Sequence, residues 1–441
     1  LGGGWISCHG LEDGREASCA SQRAIGWHGR MQGGRGGADG RSVSHSKLWR
    51  TTTAPGDQLG WSRLERTRRI MRPTPAALAL TALIASGMLA ARVEGTGQYY
   101  QLNTEAELNR WVAHDPAVTG ALDIHFHGDP DSNYDRNFVD ETNPEGRTGQ
   151  FDILDAAKIA KASGMRGFVF KSKRLDPTPL AYLARKLTPG LEVFAAMSMD
   201  RPFRMNPDAV NFMANVEGGW GRVIFMVAED AAVKGREPAR SVPVSKNGEL
   251  LPETKAVISL IAKTRTRGSN GELVMATGHN SPSDCLLLVH EASRMGVKHM
   301  VLTHPGADWT IAQLQEAVNL GAYVEITALS SFVPVERQGG KVNPVTFKRA
   351  MEVIRAIGPD HIIVSTDMGR MHSGAKLAGN PTSPQAFALA AKVLRAEGIT
   401  ERQISTMFKD NPARLLGLPV LSGTAAHQEP GFGLGQLFVK K

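Results

Sequence analysis

From about residue 120 the chain alternates short apolar runs, rich in β-branched residues, with longer stretches of helical periodicity. The runs ALDIHF (121–126), GFVFK (167–171), EVFAAM (192–197), RVIFMV (222–227), ELVMAT (272–277), HMVLT (299–303), AYVEIT (322–327) and HIIVST (361–366) predict strands. The spacing of apolar positions between and after them predicts helices over 151–163, 178–187, 207–217, 252–266, 283–295, 310–320, 345–357 and 384–397. Asn206-Pro207 and Ser281-Pro282 each set a capping side chain before a proline at the first helical position. Gly164, Gly296, Gly321 and Gly358 follow helices, where a stop is expected. Strands apolar on both faces belong to a parallel sheet covered on both sides. Eight strand–helix units in succession suit a closed (β/α)8 barrel, a TIM barrel. An open doubly wound sheet would need a glycine-rich cradle after its first strand, and HGDPDSN there offers none.

The barrel pattern fills residues 121–418, with a lead-in over 93–120 and a tail over 419–441. Residues 1–70 lack periodicity and hold 14 of the 47 glycines and 4 of the 7 tryptophans. So few aliphatics cannot bury enough surface to fold, so a disordered or spurious extension is expected. Residues 71–92 run MRPTPAALALTALIASGMLAAR, with Arg72 before an apolar stretch and small residues at Ala90 and Ala91. That is the form of a signal peptide and predicts a periplasmic or secreted protein with no stable membrane span. A twin-arginine signal at Arg68-Arg69 is a further option.

Charge changes the picture little. Residues 1–70 carry 11 Lys/Arg against 6 Asp/Glu, so +5 of the formal +8 sits outside the barrel. No basic stripe with interleaved aromatics occurs, which argues against nucleic acid and leaves a small molecule as the expected partner. Oligomeric state leaves no mark. Of the three cysteines, Cys8 and Cys19 lie in the extension and Cys285 stands alone in a helical run, so no disulfide framework is readable. Cys285 reads as a small buried apolar residue.

The chemistry gathers at the carboxyl ends of the strands, the active face of such a barrel. His125 and His127 close the first strand, and i and i+2 share a face. His279 follows the fifth strand, His304 the sixth and Asp367 the eighth. Four histidines and an aspartate on one rim suit a divalent metal: zinc first, with manganese, iron or cobalt as options. Lys171 ends the second strand, sharing a face with Lys173. It reads equally as a site residue or a solvated lysine. Glu229, past the fourth strand, is another possible metal bridge. Asp129 could orient a ligand imidazole or serve turn chemistry. Glu325 lies within the seventh strand and needs a partner if it faces inward. Arg370 could hold a substrate carboxylate or form a surface pair. His290, His299 and His361 fall away from the rim and read as structural. Phe138, Trp309 and Phe332 are candidate pocket or packing aromatics. The stretches 228–251 and 328–343 lie on the active face, where long loops act as lids.

The order His-x-His, His, His, Asp on strands one, five, six and eight resembles the amidohydrolase superfamily of metal-dependent hydrolases. The ending Asn411-Pro412-Ala413-Arg414-Leu415-Leu416-Gly417-Leu418 is similar to the helix that closes many of its barrels. The resemblance implies that His125 and His127 hold the more buried of one or two metals. It implies that His279 and His304 bind a second metal, or that one is a ligand and the other an electrophile beside the substrate carbonyl. Asp367 would touch metal and take a proton from bound water. Two-metal members of the superfamily bridge their ions with a carboxylated lysine at the end of strand four. Here that strand ends Val227-Ala228-Glu229-Asp230, and Lys171 on strand two is the candidate bridge, substrate contact or charge partner. The leading expectation is hydrolysis of an amide, cyclic amide, lactone or ester, with no Gly-x-Ser-x-Gly elbow to suggest a serine nucleophile. A metal-dependent decarboxylase or other lyase, and a non-catalytic secreted binding protein that keeps its metal, are the alternatives.

Overall fold

The computed structural model describes residues 102, 104–128, 151–233, 237–334, 341–369 and 382–421. The extension, the signal-like segment, Cys8, Cys19, Asp129, Phe138 and Arg370 lie outside the described residues, as does nearly all of the tail.

Eight parallel strands form the barrel: β1 (Leu122–Phe126), β2 (Gly167–Ser172), β3 (Glu192–Ser198), β4 (Gly221–Phe225), β5 (Val274–Ala276), β6 (His299–Leu302), β7 (Ala322–Thr327) and β8 (Ile362–Ser365). Each is followed by a main helix: α1 (Ile153–Ala162), α2 (Thr178–Leu187), α3 (Pro207–Asn215), α4 (Pro252–Lys263), α5 (Pro282–Met295), α6 (Ile311–Asn319), α7 (Pro344–Ile357) and α8 (Ser383–Ala396). Every strand pairs with the next in sequence. Between β8 and β1 the barrel closes just beyond the ladder. Asp367 N–H donates to the His125 carbonyl and His127 N–H to that of Met368, both at 2.8 Å. This is a (β/α)8 barrel.

Local chemistry explains the helix ends. The Asp152 carboxylate accepts from Leu154 and Asp155 N–H at the start of α1. Asn206, Ser281 and Asn343 cap α3, α5 and α7, each ahead of a proline. Gly296 ends α5 in the left-handed region at φ 83°. The stretch 228–251 is more ordered than a plain loop: it contains a small hairpin, Ser245–Lys246 paired with Glu249–Leu250.

The core has two layers. Ile124, Val169, Phe194, Val223, Val274, Val301 and Ile363 fill the barrel, and Leu415 and Leu416 plug its lower end. The plug fits the predicted closing helix, Asn411–Leu415, and is fastened by Asn411 Nδ2 donating to the carbonyls of Pro359 and Ile362. The larger layer lies between barrel and helices and takes in Phe126, Phe168, Phe170, Phe332 and Trp309, so the last two are packing residues. Cys285 is 2% exposed on α5, and burial pushes its thiol up to about 12. At pH 8 only about one thiol in 10⁴ is then ionised, and the thiolate is the reactive form. Iodoacetamide is therefore expected to leave Cys285 unmodified in the folded protein and to label it once denatured, read by peptide mass spectrometry. Labelling at native rates typical of an exposed thiol would contradict the packing.

Among the described residues no helix is long and apolar enough to cross a membrane.

Candidate metal centre

Simple alternation along β1 would put Asp123, His125 and His127 on one face, with Ile124 and Phe126 on the other. The strand does otherwise. Its pairing with β2 runs Asp123↔Phe168 and then Phe126↔Phe170, a bulge that sets two residues of β1 against one of β2. The bulge lets Ile124 join the barrel interior while Phe126 packs in the outer layer against Phe168 and Phe170. His125 and His127 turn into the barrel mouth, and Asp123 turns outward to α8, where it accepts from Ser383 Oγ at 2.5 Å.

Asp123 ties β1 to β8. Its carboxylate also accepts from the N–H groups of His125 (3.1 Å) and Thr366 (3.0 Å) and from the Thr366 hydroxyl. Burial raises its pKa to about 6. The ordinary value is near 3.9, so the folded state holds this proton more tightly. The protonated form favours folding below pH 4, and that contribution is lost as pH rises through 6, amounting to about 3 kcal/mol. Asp123→Asn keeps an acceptor for the two amides and removes the titration. The expected result is a urea midpoint that varies less between pH 4 and 6.5 than in wild type. Parallel profiles would show that Asp123 is not titrating in that window.

At the mouth, His125 Nε2 lies 3.2 Å from His127 Nε2, and Asp367 Oδ1 lies 3.3 Å and 3.2 Å from the two nitrogens. Each of the three residues offers one ligand atom, and these atoms all fall within 4.8 Å of one another. His125 and His127 are buried, with Asp367 17% exposed on the open side. Glu325 fixes the first imidazole: its Oε1 accepts from His125 Nδ1 at 2.9 Å, leaving Nε2 as the lone-pair face. Burial, with help from the nearby Lys171 charge, holds His125 well below its ordinary pKa, so the ring is neutral, as a metal ligand must be. Glu325 also accepts from Ser365 Oγ (2.6 Å) and His304 N–H (3.1 Å), and burial raises its own pKa. Two imidazole nitrogens and a carboxylate oxygen converging on one point fit a divalent cation.

His279 and His304 form a second pair, Nε2 to Nε2 at 3.0 Å, and the His304 ring stacks on His125 with centroids 5.6 Å apart. Crossed bonds place them: Gly278 N–H donates to Thr303 Oγ1 and Thr303 N–H to Thr277 Oγ1. Gly278 is required here. It sits at φ 71°, and a Cβ would lie 1.8 Å from the Val227 carbonyl, the group that accepts His279 N–H at 2.7 Å. Gly369 does the same beside Asp367, where a Cβ would meet the His127 carbonyl at 1.5 Å. His304 (φ 25°) and Asp367 (φ 52°) themselves hold left-handed backbone, a conformation that collects at functional sites.

Lys171 is not a solvated lysine. It is fully buried, with Nζ 3.0 Å from His125 Nε2 and 3.6 Å from the centroid of the Phe225 ring. β2 keeps strict alternation, so Val169 and Lys171 both face inward. Glu229 forms an ion pair with Lys173 at the rim. His290 pairs with Glu316 and His299 with Glu272, and His361 is exposed, all away from the centre. Asp123 is the site residue that sequence reasoning missed. Its one signal was a charge inside an otherwise apolar run.

Fold and site together define a (β/α)8 barrel with a histidine–carboxylate centre at the carboxyl ends of its strands. Residues 120–325 match the profile of a family described as "Family of unknown function (DUF6282)". That stretch takes in all four site histidines, Lys171 and Glu325 but stops short of Asp367. Among solved structures, the chain resembles the organophosphorus hydrolase from Deinococcus radiodurans at 17% identity and a TM-score of 0.45, covering 68% of this chain and 93% of that one. It also resembles a phosphotriesterase homology protein from Escherichia coli, solved with phosphate in its active site. There the identity is 16% and the TM-score 0.46, over 68% of this chain and 99% of the other. Likeness at this level says nothing about activity. A comparison with curated proteins finds no match.

Proposed function

We propose that this protein is a metal-dependent hydrolase of amidohydrolase type, cleaving an amide, cyclic amide, lactone or ester bond of a small molecule. The reading includes one or two divalent ions, zinc first, and a periplasmic or secreted location resting on the pattern of residues 71–92. The observation that carries it is the convergence of ligand atoms from His125, His127 and Asp367 within 4.8 Å. A bound divalent ion supplies a polarised carbonyl and a water with pKa near 7.

The chain's own residues do the rest. Glu325 holds the His125 ring with Nε2 toward the centre. Asp367, the most open of the three ligands, takes the proton of the attacking water and returns it to the leaving group. His279 and His304 complete a second position, or His304 donates a hydrogen bond to the substrate carbonyl. With no lysine at the end of β4 and Glu229 engaged by Lys173, Lys171 beside His125 would serve either as a bridge, once carboxylated to an anionic carbamate, or, as the ammonium, as a partner for an acidic substrate group.

Elemental analysis of the protein, wild type beside His125→Ala/His127→Ala, tests the centre directly. The expected result is about one to two equivalents of zinc, manganese or iron in wild type and none in the double variant. A wild type that holds no metal after reconstitution overturns the reading. The absent strand-four lysine favours a second reading, a one-metal lyase. Carbon dioxide released from a carboxylated substrate, with no water incorporated, would select it.

A further inference from the structure

A cavity of about 240 Å³ opens beside His304, between β7, α7 and the turn 304–307. Most of the surface lining it is apolar, from Pro305, Ile326, Ala350 and Val353 among others. Val345, 69% exposed in the first turn of α7, carries that apolar wall out toward solvent. Both charges in the wall are answered within the protein. Glu325 accepts from His125 Nδ1, His304 N–H and Ser365 Oγ. Arg349 donates to the Trp309 carbonyl at 2.6 Å and to Glu352 at 2.9 Å. The wall is also set in place before any ligand arrives. The Thr346 hydroxyl donates to the Ser330 carbonyl at 2.5 Å, which fastens the start of α7 to the turn after β7. His304 belongs at once to this cavity and to the metal centre, where its ring stacks on His125 and its Nε2 lies 3.0 Å from His279 Nε2.

We infer that this cavity receives an uncharged apolar group of the substrate, a phenyl or short branched alkyl group joined directly to the part that meets the metal centre. A charged group would give up its hydration here and find no open counter-charge, which is costly. An uncharged hydrocarbon group loses nothing on leaving water and gains the apolar wall. Size sets the scale of the group. An apolar cavity of about 150 Å³ holds benzene, so this one has room for a ring and a little more. It lies below the roughly 300–1,000 Å³ of sites that enclose a whole drug-sized ligand, so it takes one end of a substrate. Because His304 stands in both walls, the other end of the molecule lies at the metal centre. What is joined to the apolar group rests on the hydrolase reading. The cavity's taste for a neutral hydrocarbon group does not.

The test is calorimetric titration of the zinc-loaded full chain with benzohydroxamate and acetohydroxamate, which share one chelating group and differ in the apolar group joined to it. Expected is benzohydroxamate binding at least tenfold tighter than acetohydroxamate in wild type. Ala350→Leu, which fills the cavity, should bring the two affinities close to equal, and Val345→Asp, which sets a charge at its lip, should cut the preference at least threefold. Val345→Asp puts a carboxylate in the first turn of α7, where a helix favours it, so it keeps the test clear if Ala350→Leu does not fold. Equal affinities in wild type overturn the inference. So does a preference that Val345→Asp and a folded Ala350→Leu both leave intact. If neither hydroxamate binds because the chain holds no metal, the hydrolase reading fails, and benzyl alcohol, which does not chelate, reads the cavity alone. Saturation transfer by NMR to its ring protons, lost in Val345→Asp, would sustain the apolar cavity, and no transfer in wild type would overturn it.

Discussion

Asp367→Asn is expected to lower turnover by about 10²- to 10⁴-fold, the usual worth of a positioned proton acceptor, while the barrel stays folded. The fold survives because Asp367 closes the barrel through its backbone. Its N–H donates to the His125 carbonyl at 2.8 Å whatever the side chain. Asparagine also tolerates the left-handed φ of 52° that this position demands. The amide keeps one oxygen for the metal but cannot take a proton. Because Asp367 Oδ1 also lies within 3.3 Å of the His125 and His127 imidazoles, metal occupancy must be measured on the same samples. A hydrolytic rate per bound metal equal to wild type would remove Asp367 from proton transfer and leave it a ligand only.

Glu325 carries the second large effect, and two substitutions separate its roles. Glu325→Ala leaves His125 Nδ1, the His304 N–H and the Ser365 hydroxyl without their acceptor in a site that is 1% exposed. The loss is expected to reach about 3 kcal/mol or more, at about 1–3 kcal/mol for each stranded group. Glu325→Gln keeps one carbonyl oxygen and much of the packing. Its expected effect falls on the metal, a loss of about 10- to 100-fold in affinity, as is usual when the group that orients a ligand histidine is altered. Thermal unfolding reads the first and competition with a coloured chelator the second. Unchanged affinity in Glu325→Gln would make the carboxylate a purely structural anchor.

Much of the barrel was legible in the sequence because its periodicities are strong. The run 322–327 and the helix 178–187 emerge with the ends that apolar spacing predicts. The caps at Asn206 and Ser281 act as read. Strand ends were less legible, because tertiary partners decide them. The fourth strand was expected to reach residue 227 but leaves the ladder after Phe225, since the Val227 carbonyl is taken by His279 N–H. The hairpin at 245–250 has two-residue strands, too short to show any period. At the site, the rim histidines and Asp367 were visible because each follows a clear apolar run. Asp123 was hidden by the alternation rule itself: a bulge breaks the rule within β1, and a bulge leaves no mark in composition. Lys171 was ambiguous for a different reason. A lysine at a strand end is ordinarily solvated, and only the closure of the barrel around Phe225 and His125 buries it.

The seam between β8 and β1 has a consequence for how the molecule comes apart. Thr366 and Asp123, which meet there, are 243 residues apart in sequence, so the last strand to be made must find the first. The three converging ligand atoms straddle this same seam, one on β1, one just past its end and one just past β8. An ion seated among them would act as a cross-link between the two ends of the barrel, closing its longest loop, which is where a clip removes the most chain entropy from the unfolded state. Metal loading would then reinforce a closure that the backbone bonds at the seam already make. The loaded protein should resist unfolding as a ring does, which opens only when a link is cut, whereas an unlinked barrel can peel apart from the seam.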